Sequence, residues 1–329
     1  ALIDGAMRPV ADAASAFIFY SVELFGVQVP LIVLWLVAGG VFFTVYLRFI
    51  NFRGFKHAID IISGKFVKDG DPGQISQFQA LSTAVSGTVG IGNIAGVAVA
   101  ISVGGPGATF WLIVAGLLGM STKLAECTLG VMYREYNDGV VSGGPMYYLE
   151  KGLRLRNWPR LGRALGIFYA ASMVIGCLGI GNMFQSNQAA AIFIDVTGGA
   201  NSPLANQSWV VGLVLAIAVG VVIIGGIQSI AATTSRLVPG MALLYLMTAL
   251  AVLVLNYTAI PGAFVAIWQG AFNPEGISGG SIGVMIICFR RAVFSNEAGL
   301  GSAAIAHSTA RTKEPVSEGF VGLLEPFID

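Results

Sequence analysis

Three clusters in an otherwise apolar chain carry groups able to do chemistry. The first is the stretch 86–96, SGTVGIGNIAG, with four glycines in eleven residues and Asn93 among them. Glycine in a helix interior costs roughly 1 kcal/mol against alanine, so an apolar helix that accepts it repeatedly has a reason. An unwound Gly-x-Gly leaves amide N–H groups free at the start of a half-helix, where the dipole is positive, and that suits a carboxylate. Carbonyls freed just before the break suit a dehydrated Na+. The Asn93 amide can accept from an ammonium or ligate a cation. The second cluster, FRRAVFSNEAGLGS, sets Arg290, Arg291, Ser295, Asn296, Glu297, Gly299 and Gly301 in another apolar run. The third holds Gln185, Asn187 and Gln188, three amides within one helical turn. Catalysis has little support: Ser302, His307 and Asp329 are present, but no nucleophile elbow or His-Glu-x-x-His pattern frames them. The chain is expected not to be an enzyme and to need no cofactor. Cys127, Cys177 and Cys288 lie in or at the edge of apolar runs and read as small buried hydrophobes. His57 and His307 are isolated, and no metal-ligand spacing beyond a site for Na+ is evident.

These clusters must be positioned by membrane helices. The chain has 329 residues, 55% apolar and only 11% charged, where a soluble domain averages about 25% charged. The class is an all-α polytopic membrane protein. Its net charge of +1 gives no sign of a nucleic-acid partner; the partner implied is the lipid bilayer. A span needs about 20 apolar residues, and seven candidates meet that: 28–49, 78–103, 108–132, 164–195, 208–226, 236–258 and 280–309, with an eighth beginning near 317. The lysines and arginines fall in alternate loops: 48–77, 123–163, near 227–236, and 310–316. The loops 103–108, 195–208 and 258–280 contain none. By the positive-inside rule the N-terminus lies outside the cytoplasm, so 1–27 is an extracytoplasmic segment. Its Asp4, Arg8, Asp12 and Glu23 are not the pattern of a signal peptide. Residues 28–77 are then one extra span plus a cytoplasmic amphipathic connector that ends in a turn at Asp71-Pro72-Gly73.

The interrupted spans 78–103 and 280–309 run in opposite directions by this rule. Paired Gly-interrupted helices of opposite sense are what an inverted-repeat transporter requires, because unwound backbone at membrane depth is tolerated only where it lines a cavity or is buried in protein. Residues 78–258 form a first five-helix repeat with a broken first helix, and 259–329 begin a second. Taken alone, Ser86/Gly90 and Gly92/Gly96 read better as a helix-packing surface; the second break reverses that preference. Gln185, near mid-span, marks either a pathway or an interhelical hydrogen bond. Glu297 is expected to pair with Arg290 or Arg291, or to sit in the first turn of a helix capped by Ser295. Lys123 and Glu126 read as a gate or interfacial pair.

The segments SGTVGIGNIAGVAVAISVGGPGATFWLIVAGLLGMSTKLAE, SGGPMYYLEKGL, IGNMFQSNQAAA and FSNEAGLGSAAIAHSTA resemble the alanine or glycine:cation symporter family over residues 28–329. That resemblance implies the amino acid–polyamine–organocation fold, a five-plus-five inverted repeat, with the second repeat incomplete in this chain. It implies Na+-driven uptake of alanine, with glycine or D-alanine as further substrates, across a bacterial inner membrane by alternating access. Substrate-binding residues carried over are Gly90, Ile91 and Gly92 at the carboxylate, Asn93 beside it, Gln185 near the amine, and Ile287 and Phe289 capping the methyl group. The related neurotransmitter:sodium symporters place Na+ on the carbonyls of Ser86 and Val89, with a second position at Thr88 and Asn93. Two departures stand out. Ala292 replaces the family's glycine after Arg291, which would narrow the pocket or stiffen the hinge. The helix expected to supply Na+-binding hydroxyls lies beyond Asp329, so these 329 residues are not expected to transport alone. A passive channel, or a non-transporting fragment, is the runner-up; oligomeric state is left open.

Overall fold

The computed structural model describes all residues except 1, 25, 26, 67, 69, 178, 180, 181, 206 and 273–279. Helix α1 (Leu2–Ile18) leads into an antiparallel hairpin of β1 (Ser21–Leu24) and β2 (Val27–Pro30). Helix α2 (Leu31–Tyr46) falls within the first expected span, and α3 (Ile50–Arg53) and α4 (Phe55–Ile62) form the connector. Helix α4 buries Ala58 and Ile61, three apart, and leaves Lys56 and Ile59 exposed, so it lies on the protein by one face.

The first interrupted span is α5 (Gln77–Thr88), a π-helical turn (Gly92–Gly96) and α6 (Val97–Gly104). A capping box starts it: Gln79 N–H donates to Ser76 Oγ at 3.2 Å, and Ser76 N–H donates to Gln79 Oε1 at 2.9 Å. Its two halves meet at 50°. Helix α7 (Ala108–Met132) coincides with the third expected span and packs against α2 and against the helices that follow residue 259. Among the described residues, α7 and α12 are long and apolar enough to cross a membrane, and the bent α5–α6 pair makes a third span if counted as one. A short hairpin, β3 (Glu135–Asn137) and β4 (Val140–Ser142), turns through Asp138 and Gly139, both at positive φ.

Three expectations need correction and a fourth is narrowed. The span expected at 164–195 is two helices, α9 (Pro159–Cys177) and α10 (Met183–Val196), preceded by α8 (Pro145–Leu155). Asn182 Nδ2 turns back onto the Cys177 carbonyl at 3.1 Å, occupying an acceptor at the end of α9. The basic loop expected near 227–236 is helical. Helix α11 (Ser208–Ile224) reaches a turn at Gly225-Gly226, where Gly226 takes φ +67°, and α12 (Gly226–Leu255) runs on through Arg236. The uncharged loop 258–280 contains α13 (Ile260–Phe272), whose Ala271 carbonyl accepts from Trp111 Nε1 at 3.1 Å. The second interruption lies further on than the charged residues suggest. Helix α14 (Gly280–Asn296) is continuous through Arg290 and Arg291, and the chain breaks only at 297–301, before α15 (Ser302–His307). Helices α16 (Pro315–Leu323) and α17 (Glu325–Ile328) complete the chain.

Small residues bring α16 onto α7: a Cβ at Gly319 would overlap Thr128 Oγ1, and one at Gly322 would overlap Cys127 Sγ. On the other side of α7, Phe289 and Ala292 of α14 pack with Val33 of α2 and Ala115 of α7. Ala292 packs in this core five residues short of the break and also borders the cavity, so its extra methyl bears on the pocket.

The ends of the two interrupted helices are stitched together. Ile75, just before α5, pairs in parallel with Ala310, just after α15. The Arg311 N–H donates to the Ile75 carbonyl at 2.8 Å. Buried Arg134 spreads its guanidinium over four carbonyls, those of Ser308 (2.7 Å), Ala310 (2.7 Å), Thr312 (2.6 Å) and Pro72 (3.0 Å). A planar fork of five donors is the group that fits such a set.

Candidate functional site

The first break begins where Val89 turns extended, at ψ 113°, and ends α5. In an unbroken helix the N–H groups of Gly90 and Ile91 would bond the carbonyls of Ser86 and Gly87. Here they go elsewhere. Gly90 N–H donates to Asn93 Oδ1 at 2.8 Å, and Ile91 N–H donates to Gln185 Oε1 at 3.4 Å. The carbonyls of Ser86 and Gly87 have thereby lost their helical donors. Glycine suits this approach, since a Cβ at Gly90 would stand 3.2 Å from Gln185 Nε2 and press on that side chain. Asn93 spans the gap: its Nδ2 donates at 2.8 Å to both the main-chain oxygen and Oδ1 of Asp329. Ser295 Oγ of α14 donates to the same Asp329 Oδ1 at 3.1 Å.

Gly92, Asn93, Ser295, Arg291 and Asp329 line one cavity of about 400 Å³, walled on the far side by Leu112, Gly116 and Met120 of α7. It is mostly apolar, with the amides, the hydroxyl and the carboxylate gathered at the break, which is the usual make-up of a small-molecule site.

The second break needs left-handed backbone at three of five residues: Glu297, Gly299 and Gly301 all have positive φ. Gly301 is held against Pro145, Tyr148 and Tyr169, and Tyr169 Oη donates to the Leu300 carbonyl at 3.1 Å. Glu297 accepts from Ser302 Oγ. It therefore acts at a helix start, but that of α15, and no bond to Arg290 or Arg291 accompanies it. Ser295 lies inside α14 and caps nothing; Arg290 instead stacks on the Phe19 ring at 4.2 Å. Lys123 and Glu126 are buried in the interior, and the partner of Lys123 is Glu325, at 3.2 Å.

Of the residues singled out by sequence, the structure gathers Gly90, Ile91, Gly92, Asn93 and Gln185 at one place. Of these, Gly92 and Asn93 line the cavity. Gly90, Ile91 and Gln185 adjoin it at the break without lining it, Ile287 does not line it, and Phe289 packs in the core against α2 and α7. Among the residues carried over for a cation, Val89 forms the turn. Thr88 Oγ1 is buried and donates to the Val85 carbonyl at 3.3 Å. Ser86 Oγ donates to the Thr83 carbonyl at 2.6 Å. Sequence reasoning weighs Asp329 for catalysis alone and does not place it at the site. The signal was available: Glu325 and Asp329 stand four apart in GLLEPFID, an apolar setting where a carboxylate is costly.

A family model described as the sodium:alanine symporter family matches residues 14–329. A sodium/alanine symporter, AgcS, of Methanococcus maripaludis is 41% identical over 302 residues, covering 91% of this chain and 64% of that protein. An uncharacterized transporter of Haemophilus influenzae is 39% identical over 307 residues, with coverage of 91% and 64%. The amino-acid carrier protein AlsT of Bacillus subtilis is 37% identical over 295 residues, with coverage of 89% and 60%. The chain thus spans under two thirds of the length of these relatives. With a match that runs nearly end to end and a cavity built on a glycine-broken helix, the chain belongs to the sodium:alanine symporter family.

Proposed function

We propose that this chain carries the substrate site of a Na+-coupled symporter for small neutral amino acids, alanine first and glycine also. The observation that carries the reading is the pairing of the Gly90 and Ile91 amides with side-chain oxygens of Asn93 and Gln185. Those oxygens stand where the carboxylate oxygens of an amino acid would be held. A substrate carboxylate displaces them and takes both N–H groups, and the released Asn93 and Gln185 oxygens then accept from the substrate ammonium. One exchange satisfies both charged ends of a zwitterion and leaves no buried donor unpaired. The preference for a small side chain comes from the family and from AgcS, named a sodium/alanine symporter.

The carbonyls released at Ser86 and turned out at Val89 are the proposed Na+ ligands from this half of the site, with Thr88 in reserve. The break at 297–301 and the break at 89–90 are the paired interruptions of a five-plus-five inverted repeat, with 78–258 as the first repeat and 259–329 opening the second. In this reading the N-terminus is extracytoplasmic, the protein is a multi-pass inner-membrane protein, and transport is inward by alternating access. That AgcS is named a sodium/alanine symporter supports the choice of ion and substrate. The test is tritiated-alanine uptake by the full-length protein in liposomes. Uptake should become concentrative only under an inward Na+ gradient; equal uptake with and without the gradient refutes the coupling.

A further inference from the structure

A second cavity, of about 450 Å³, opens where the connector meets the segment between α15 and α16. Its floor is aromatic: His57 of α4 lies edge-on to Phe320 of α16 at 5.0 Å and tilted against Phe66 at 5.1 Å. Its wall is basic. Lys65 and Lys68 follow α4, and Arg311 and Lys313 follow α15; the carboxylates among them are those of Asp71 and Glu314. Four cations thus face two anions. Asp71 is met by Lys313 at 3.5 Å, and Lys65 pairs with Asp60, outside the lining, at 2.5 Å. Among the described residues, no carboxylate lies within ion-pair distance of Lys68 or Arg311, and both side chains are exposed.

The wall is a built surface. Thr312 N–H donates to the Pro72 carbonyl at 3.1 Å, Arg311 N–H to the Ile75 carbonyl at 2.8 Å, and Gln77 Nε2 to Ser317 Oγ at 3.1 Å. Two uncompensated cations held on such a wall fit a phosphate. The surroundings say where the phosphate comes from. The connector leaves the end of α2, the first expected span, and so lies at the depth of the headgroups. Along it the exposed Phe49, Phe52, Ile59 and Phe66 are interleaved with the exposed Arg48, Arg53, Lys56 and Lys65. Apolar and cationic side chains presented together suit the boundary between acyl chains and anionic headgroups. A soluble anion uses the cations alone; a lipid uses both. We propose that this cavity binds the phosphate of an anionic phospholipid on Lys68 and Arg311, with acyl chain laid against the exposed Phe66 and Val316 that line it. A headgroup bridging these two cations ties the connector to the strand seam at Ile75 and Ala310, and binding to the folded state alone raises its stability. The site needs only a connector at a membrane surface and stands apart from the symport reading.

The test uses the purified full-length protein in neutral detergent. Its unfolding midpoint should rise on addition of phosphatidylglycerol and not on addition of phosphatidylcholine at the same concentration. Inorganic phosphate and glycerol 3-phosphate offer the anion without acyl chains and should give no rise. Titration of the midpoint with phosphatidylglycerol should show binding by K68Q/R311Q weakened about 25-fold, at roughly fivefold per charge. R53Q/K56Q removes two exposed connector cations that do not line the cavity and should weaken it less than about fivefold. Equal losses in the two double variants reduce the effect to general surface attraction and overturn the site. A midpoint raised as much by phosphatidylcholine overturns it too, and one raised as much by inorganic phosphate overturns the lipid as its source. Should K68Q/R311Q yield too little folded protein, K68Q alone changes one exposed side chain and must still lose about fivefold; unchanged binding overturns the site equally.

Discussion

Replacing Asn93 by alanine tests the proposed exchange, and its magnitude can be worked from the bonds around it. In the structure Asn93 Oδ1 accepts from Gly90 N–H and Nδ2 anchors on Asp329. In the bound state the oxygen trades Gly90 for the substrate ammonium. Asn93→Ala removes a bond to a charged group, worth about 2 kcal/mol. It also removes the bond the ligand had to displace, worth about 1 kcal/mol, because Gly90 N–H is free beforehand. The difference, about 1 kcal/mol, is about a fivefold loss of alanine affinity by the tenfold-per-1.4 kcal/mol conversion. Asn93→Asp keeps the acceptor but sets a carboxylate against that of Asp329, and should lose more than the alanine variant. The assay is alanine binding by calorimetry on the full-length protein in saturating Na+. Unchanged or tighter binding by Asn93→Ala would refute the exchange, as would Asn93→Asp binding better than Asn93→Ala.

Other outcomes follow from named contacts. Arg134→Lys leaves at least one of four buried carbonyls without its donor and should lower thermal stability by about 1–3 kcal/mol per orphan, read as the unfolding midpoint in detergent. Lys123→Met strands Glu325 and should cost about 3–5 kcal/mol, whereas Lys123→Met combined with Glu325→Leu should recover folded yield by size exclusion. Gly319→Ala drives a methyl into Thr128 and Leu124 and should destabilise by about 1–3 kcal/mol, with a lowered midpoint as readout. Gly301→Ala puts a side chain at φ +78° against Pro145 and should abolish alanine uptake more than it reduces expression.

The sequence was most legible where local chemistry decides. Helix α7 lies where a mostly apolar, proline-free run of 25 residues puts it, and the first break lies among the glycines of 86–96. Elements set by partners distant in the chain were not legible. Arg290 and Arg291 blur the position of the break within 280–309, because a charge in an apolar run reads like an interruption; in the structure Arg290 stacks on Phe19 and Arg291 borders the cavity while the helix runs on. The true break is marked by positive φ at Glu297, a residue type whose propensity gives no hint of it. The motif points Phe289 at a pocket, and in the structure it packs with Val33, more than 250 residues earlier, a contact no local pattern shows. Lys123 was matched to Glu126, its neighbour on the helix, while its bonded partner lies 202 residues away.

The seam between Ile75 and Ala310 has a mechanical meaning. With Arg134 bolted across it, α5 and α15 behave as two arms on one axle: neither can tilt without turning the other. In the transport cycle proposed above, motion that opens or shuts the cavity then falls on the two breaks, 89–90 and 297–301, which carry α6 and α14 on the far side of the seam.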